Sequence, residues 1–225
     1  LALGTFFLAI DLAFFTANLP KIPHGGWFPL VIGVLVFTLL ATWKKGRTLL
    51  QKKQSDETLP LEPFLENLMA YPPQRVPGTA VFLTTSHSSV PHALLHNLIH
   101  NKVLHERVIF LTVFTEEVPF VPDIDQIELE ELGHGTWRMI VRYGFKDEPD
   151  LPRALELCAG LGLTLNPMDT SYFIGRESLL AKGQSGMAYW REKLFITMFR
   201  SSDSVTNYFK LPPNRVLELG TQITL

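Results

Sequence analysis

WFPLVIGVLVFTLLATW, residues Trp27 to Trp43, decides how this chain is organised. The stretch contains no charged residue and no polar stripe at helical spacing, so it does not read as the surface helix of a soluble domain. At about 1.5 Å per residue it covers most of a ~30 Å hydrocarbon core, and the preceding Pro23–Gly26 supplies the rest of the crossing. Tryptophan at both ends matches interfacial anchoring. Lys44, Lys45 and Arg47 then end the stretch abruptly. The alternative, a helix buried in a large globular core, is disfavoured by the length and the flanks. The residues before the stretch read as membrane-bound, and those after it read as soluble.

Toward the N-terminus, Leu1–Leu19 forms a second apolar run with Asp11 near its middle. A central Asp costs roughly 2.5–3.5 kcal/mol on insertion, and each Leu, Ile or Phe returns about 0.3–0.6. The ten such residues in the run offset the Asp by order of magnitude, so the run still inserts. Gly4, Asp11 and Asn18 are seven apart and fall near one line of a helix, a face suited to other helices rather than lipid. Asp11 is the ionisable residue of these two spans and therefore the candidate ion-binding residue; a hydrogen bond in helix packing is the plainer role. Between the runs, Pro20–Gly26 (PKIPHGG) reads as a turn. One lysine, Lys21, flanks it, against Lys44, Lys45, Arg47, Lys52 and Lys53 beyond the second run. The positive-inside bias then places residue 44 onward in the cytoplasm. The expectation is two transmembrane helices within residues 1–47, out and back.

Hydrophobic residues make up 46% of the 225, but unevenly. Residues 79–225 carry thirteen Lys/Arg against seventeen Asp/Glu, an acidic balance that argues against nucleic acid as a partner. One cysteine, Cys158, rules out an internal disulfide and suits a reducing compartment. No basic segment or small-residue cleavage site marks a signal peptide. A chain that opens on Leu inside an apolar run is expected to belong to something longer.

Residues 48–77 read as a connector, with an amphipathic helix near 61–70 marked by Leu61, Phe64, Leu65, Leu68 and Met69. It runs along the membrane surface or packs on the soluble domain. From residue 78 strands and helices alternate. Strands are expected at 79–85, 107–115, 127–131, 136–145, 171–175 and 215–225. Helices are expected at 91–102, 150–161 and 188–200. The Ser88 or Ser89 hydroxyl is the expected cap of the first helix, with Pro91 in its first turn. This predicts an α/β domain with a mixed sheet over 78–225, near the usual domain size.

The loop TTSHSS, Thr84–Ser89, joins the first strand to the first helix. Open α/β sheets bind ligands there, and helix N-termini attract phosphate. Ser86, Ser88 and Ser89 are therefore the candidate ligand-binding residues, with capping and turn chemistry as the plainer role. The loop has no glycine and is not a P-loop. His92, His96 and His100 are four apart, a spacing that can hold zinc. No cysteine or carboxylate cluster completes a set, so no metal is expected. Residues 182–186, KGQSG, lack the Gly-x-Ser-x-Gly spacing of a hydrolase elbow, and no nucleophile–base–acid set is found. An enzyme is not expected, and no catalytic residue or cofactor is assigned.

Five stretches resemble one known family. HNLIHNKVLHERVIFLTV (His96–Val113), GGWFPL (Gly25–Leu30), ATWKK (Ala41–Lys45), RVPGTAV (Arg75–Val81) and PPNRVLELGTQ (Pro212–Gln222) are similar, in order, to segments of the KUP/HAK/KT potassium uptake permeases. The resemblance implies a proton-coupled importer of the bacterial inner membrane, multi-pass, of the LeuT-like class, carrying K+ and H+. This chain would be its last two membrane helices and cytoplasmic C-terminal domain. Its implied partners are the lipid bilayer and the earlier membrane helices, with a homodimer as an open arrangement. In that class ions bind at discontinuous helices in the repeat core, so no family ion site transfers to a residue of this chain. The rival from another class is a membrane-tethered cytoplasmic domain that binds a regulatory nucleotide.

Overall fold

Helical structure begins at the N-terminus and does not stop at the expected turn. The computed structural model describes residues 2–56, 59–183, 186–201 and 204–224. Helix α1 (Ala2–Asn18) leads into a 3-10 turn (Leu19–Lys21) and a π turn (Ile22–Gly26), which pass directly into α2 (Trp27–Asp56). Together they give one helical run from Leu3 to Gln54, 52 residues, apolar enough and long enough to cross a membrane. The two-helix expectation is thereby corrected to a single long apolar helix with a kink. Pro20 and Pro23 stand in the first positions of their turns, where a missing N–H breaks no helical bond. Only His24 (φ −95°, ψ 27°) and Gly25 (φ 115°) leave helical geometry. The chain bends there, and α1 and α2 form no packed pair among the described residues. The out-and-back hairpin is not found among the described residues, and they give no sign of the LeuT-like arrangement that the resemblance implies.

The second half is a six-stranded mixed sheet in the order β3-β4-β2-β1-β5-β6. Its strands are β1 (Gln74–Thr84), β2 (Val103–Glu116), β3 (Ile127–Gly133), β4 (Thr136–Gly144), β5 (Thr170–Leu180) and β6 (Val216–Thr224). All neighbouring pairs are parallel except β3 with β4, the hairpin that His134 and its flanking glycines turn with positive φ. Parallel strands covered on both faces need continuous apolar runs. Residues 80–82 of β1 and 108–111 of β2 supply them, with exposures of 0–1%.

One face of the sheet packs on α5 (Leu151–Leu157), with Ile109, Leu111, Met139, Val141, Leu151 and Leu155 in contact. Cys158 is buried there as well, and burial pushes its thiol up to about 11, so it is a core residue rather than a reactive one. The other face packs on α3 (Leu61–Ala70) and α4 (His92–His100) through Leu61, Leu65, Ala93 and Leu94. The amphipathic helix at 61–70 thus lies on the sheet. Two further helices, α6 (Tyr189–Arg200) and the single turn α7 (Val205–Tyr208), follow β5. Gln184 and Ser185 of the 182–186 loop lie outside the described residues, as do Leu1, Glu57, Thr58 and Leu225.

From residue 3 to residue 40 no position is buried. Burial starts at Thr42, where α2 meets α6. Arg191 Nε donates to Thr42 Oγ1 at 2.9 Å, and the Trp43 and Phe195 rings stand 5.6 Å apart. Gly46 is the point of closest approach: a Cβ there would sit 2.3 Å from Phe195 Cδ2. One turn on, Leu50 joins Leu179, Phe195, Ile196 and Ile223 in a third apolar cluster. Lys53 Nζ donates to Thr224 and Gln54 Nε2 donates to Glu177. Fully burying a Leu or Phe stabilises by about 1.5–3 kcal/mol, against roughly 1 kcal/mol net for a hydrogen bond. The apolar seat therefore holds α2 on the domain, and the polar contacts orient it.

Gly46→Ala separates two opposing effects. Helix propensity alone would stabilise by up to about 1 kcal/mol, whereas overpacking against Phe195 costs about 1–3 kcal/mol. Thermal unfolding in detergent is expected to show a lower midpoint for Gly46→Ala and no loss for Gly33→Ala, whose Cβ meets open space. A raised midpoint for Gly46→Ala would disprove the close seat.

Candidate functional site

The sheet reverses its winding between β1 and β5. From β1 the chain crosses by α4 to β2 and then outward to β4, while β5 leads by α6 to β6 on the opposite side. Crossovers that diverge from two adjacent parallel strands leave a crevice at their carboxyl ends, the usual ligand position in open α/β sheets. Here that crevice is closed from above by the last turns of α2.

Two connected hollows occupy it. The inner one, about 470 Å³, has a floor of Leu83, Val113, Ile174, Phe209 and Ile223, with Thr84, His92, Gln54, Glu177 and Thr221 at its wall. The outer one, about 570 Å³, is polar and lies between Arg47, Gln51 and Gln54 of α2 and Thr85, Ser86, Ser88 and Ser89 of the loop. Both volumes fall in the range of small-molecule sites.

The loop is held by its own bonds. Thr84 Oγ1 donates to Ser86 O at 3.0 Å and accepts from Ser86 N–H at 3.2 Å, and the Ser86 and Ser88 hydroxyls stand 3.3 Å apart. Leu61 N–H donates to Ser88 O and Val90 N–H to Leu59 O, each at 2.9 Å. These bonds tie the loop to the residues leading into α3. Neither Ser88 nor Ser89 caps α4. Its N-cap is Pro91, with no side-chain bond, because the bridge between Ser89 and Pro60 fixes the two serines short of the helix. The capping expectation is corrected accordingly, and the three candidate serines line the outer hollow instead.

Glu177 sits where strand meets helix. Burial pushes its carboxyl above the ordinary glutamate range, opposed by the hydrogen bond from Gln54 and by the charges of Arg47 and His92. The side chains that close the crevice, Arg47, Gln51, Gln54 and Glu177, lie outside the loop that the sequence marks. Arg47, Gln51 and Gln54 follow i, i+4, i+7, so a polar stripe on the tail of α2 is the signal for three of them. Glu177 belongs to the part of β5 beyond residue 175, where alternation gives way to polar residues.

The other candidates lie elsewhere. Asp11 is exposed on α1, apart from the crevice. His96 and His100 stack at 5.8 Å, with His96 Nε2 3.3 Å from Thr221 Oγ1. His92 faces the inner hollow. No three His, Cys, Asp or Glu groups come together for a metal ion among the described residues.

Residues 77–225 match the family model described as the K+ potassium transporter C-terminal domain. The chain belongs to the K+ potassium transporter family. Residues 1–48 match the model for the integral membrane domain of the same transporters, so the family's membrane part ends within α2 and its C-terminal domain begins in β1. Family members are transporters, not enzymes. Proteins named "Probable potassium transport system protein Kup" are among the relatives. That of Azoarcus sp. (strain BH72) is 57% identical over 97% of this chain and 34% of the relative. "Kup 1" of Dechloromonas aromatica (strain RCB) is 55% identical over 97% and 35%, and "Kup 2" of Chromobacterium violaceum 51% over 100% and 37%. The chain spans about a third of the length of these relatives. No solved structure matches it.

The raised Glu177 carboxyl predicts a pH dependence with a definite sign. The folded chain holds this proton more tightly than the unfolded chain. The Glu177 contribution is therefore fully present below the ordinary glutamate value of about 4.3 and is lost as pH rises through the raised folded value. Unfolding midpoints of the wild type and Glu177→Gln, measured from pH 4 to pH 7, are expected to diverge in favour of the variant as pH rises. A constant difference would show that the carboxyl titrates normally.

Proposed function

We propose that this chain is the C-terminal part of a potassium uptake permease of the bacterial inner membrane, coupling K+ entry to H+. Residues 1–47 lie in the membrane, 48–77 connect, and 78–225 form the cytoplasmic domain. One observation carries the reading: α2 runs unbroken from a fully exposed apolar surface into the seat on Phe195. A helix exposed on all sides over ~30 Å suits lipid or other membrane helices, and its rigid continuation gives the domain a mechanical hold on the membrane part. The names of the relatives supply the ion.

The test is growth of a potassium-uptake-deficient strain on low potassium. Joined behind the membrane domain of a related permease, these residues are expected to restore growth. The chain alone is expected to fail, because a dehydrated cation needs several converging oxygens and this apolar run offers Asp11, Asn18 and scattered threonines. Failure of the joined protein, although it reaches the membrane, would refute the reading. Growth on the chain alone would move the ion path here and make Asp11 the first residue to substitute.

A second reading, a membrane-tethered domain that takes a regulatory phosphate-bearing ligand such as a nucleotide, is favoured by the makeup of the outer hollow. Arg47 faces Ser86, Ser88 and Ser89 across it, a guanidinium opposite hydroxyl donors, which suits a phosphate. A nucleotide that binds there is expected to raise the melting temperature by mass action. The shift should vanish in Arg47→Gln and in the double variant Ser86→Ala, Ser88→Ala. No shift across a nucleotide panel would leave the loop as turn chemistry alone.

A further inference from the structure

We infer that the carboxyl-end loops of β2 and β4 form a docking surface for a basic, membrane-proximal polypeptide segment. Two loops build it, residues 116–126 and 144–150. They are zipped together: Phe145 N–H donates to Val118 O and Lys146 N–H to Pro119 O, both at 2.9 Å. One carboxylate, Asp147, accepts from Val121 N–H at 3.0 Å and from Gly144 N–H at 2.7 Å. The backbones lie so close that a Cβ on Gly144 would meet Pro119 O at 2.4 Å. On this ordered frame Phe120, Ile124 and Phe145 stand 63%, 88% and 58% exposed. Tight backbone packing that holds large apolar side chains outward marks an interaction site rather than a slack loop.

Charge selects the occupant. The two loops carry seven carboxylates and one lysine. Arg142, Arg153 and Lys210 pair with three of the acids, so the surface stays acidic around its apolar centre. An anionic lipid leaflet would be repelled. A peptide rich in Lys and Arg with an apolar anchor fits both features, and cytoplasmic loops of membrane proteins are enriched in those residues.

Position points the same way, and here the inference rests on the permease reading. The basic collar of α2 begins at Lys44, and Gln54 already touches β5. Ten residues of helix place the carboxyl edge of the sheet roughly 15 Å below the collar. β2 and β4 are three and four strands from β6, where Lys53 attaches. At about 4.8 Å per strand that is roughly 15–20 Å sideways. Membrane helices pack 8–10 Å apart, so the surface lies beneath the first and second neighbours of α2. The relatives, of whose length this chain spans 34–37%, have ample chain to supply such neighbours.

The test places the photo-reactive p-benzoylphenylalanine at Phe120 or Phe145 of the whole transporter in native membranes, and at Tyr71 as a control. Tyr71 is 89% exposed and precedes β1 at the opposite, amino edge. Both loop sites are exposed enough that the larger ring leaves folding undisturbed. Mass spectrometry of the irradiated protein is expected to map cross-links from both loop sites, and not from Tyr71, to a Lys/Arg-rich loop of the membrane domain. Adding Glu117→Lys and Asp125→Lys is expected to cut that yield several-fold. Cross-links only to lipid, to a second copy or to a segment without basic residues would overturn the assignment, as would none at all. Alkaline carbonate extraction separates the two failures. A protein that leaves the membrane refutes the permease reading itself, whereas one that stays without the cross-link refutes only the docking surface.

Discussion

Gly46 against Phe195 is the contact on which the rest of this molecule depends. Above it, α2 is an apolar rod with no buried side chain before Thr42. Below it, the same helix inserts Leu50 into a cluster with strands β5 and β6. A side chain at residue 46 would force the two helices apart, since the nearest ring atoms lie at 2.3–2.6 Å from its Cβ. With glycine there, the Phe195 ring packs on bare backbone, and the direction of α2 is fixed relative to the sheet. A membrane helix so fixed acts as a lever rather than a tether. Any tilt of α2 has to move α6 and the carboxyl ends of β5 and β6 with it.

That lever also forms one wall of the crevice. In an open α/β domain the switch point is ordinarily bounded by loops alone. Here Arg47, Gln51 and Gln54 come from the helix and the serines from the loop after β1. A ligand that bridged the two parts would link occupancy of the hollow to the position of α2 in both directions, because binding one arrangement better than another shifts the balance between them. Glu177 adds a charge at the joint whose ionisation burial disfavours. Its hydrogen bond from Gln54 joins domain to helix at the same point.

The sheet turns its carboxyl edge toward the part of α2 that leads into the membrane. The crevice, the attachment of Lys53 and the acidic, aromatic loops after β2 and β4 all lie on that edge. The amino edge, by contrast, closes on itself. Arg75 donates to the carbonyl oxygens of His105 and His134 and so stitches β1, β2 and the β3–β4 turn together. The candidate site and the structural closure thus sit at opposite ends of the same strands.

The local elements and the family are legible in the order of residues alone. Alternation and apolar runs located every strand, although Arg75, His105 and Glu177 show where they fell short: polar residues that continue a strand carry no apolar signal. The amphipathic stripe from Leu61 to Met69 announced α3, and ordered matches along the chain announced the potassium transporters. The serine loop was legible as a strand–helix junction. What could not be read was anything set by contacts distant in sequence. PKIPHGG looked like a reversal, because two prolines and two glycines break helices on average. Only the backbone showed both prolines in first-turn positions, where they cost nothing, so that one kinked helix replaced two. Spacing suggests capping by Ser88, but its carbonyl is paired with Leu61 N–H and the Ser89–Pro60 bridge beside it holds both serines short of the helix. The role of Gly46 had no local signature at all. A glycine inside a helix is locally a cost of about 1 kcal/mol, and it becomes a requirement only when Phe195, 149 residues on, is brought against it by the fold.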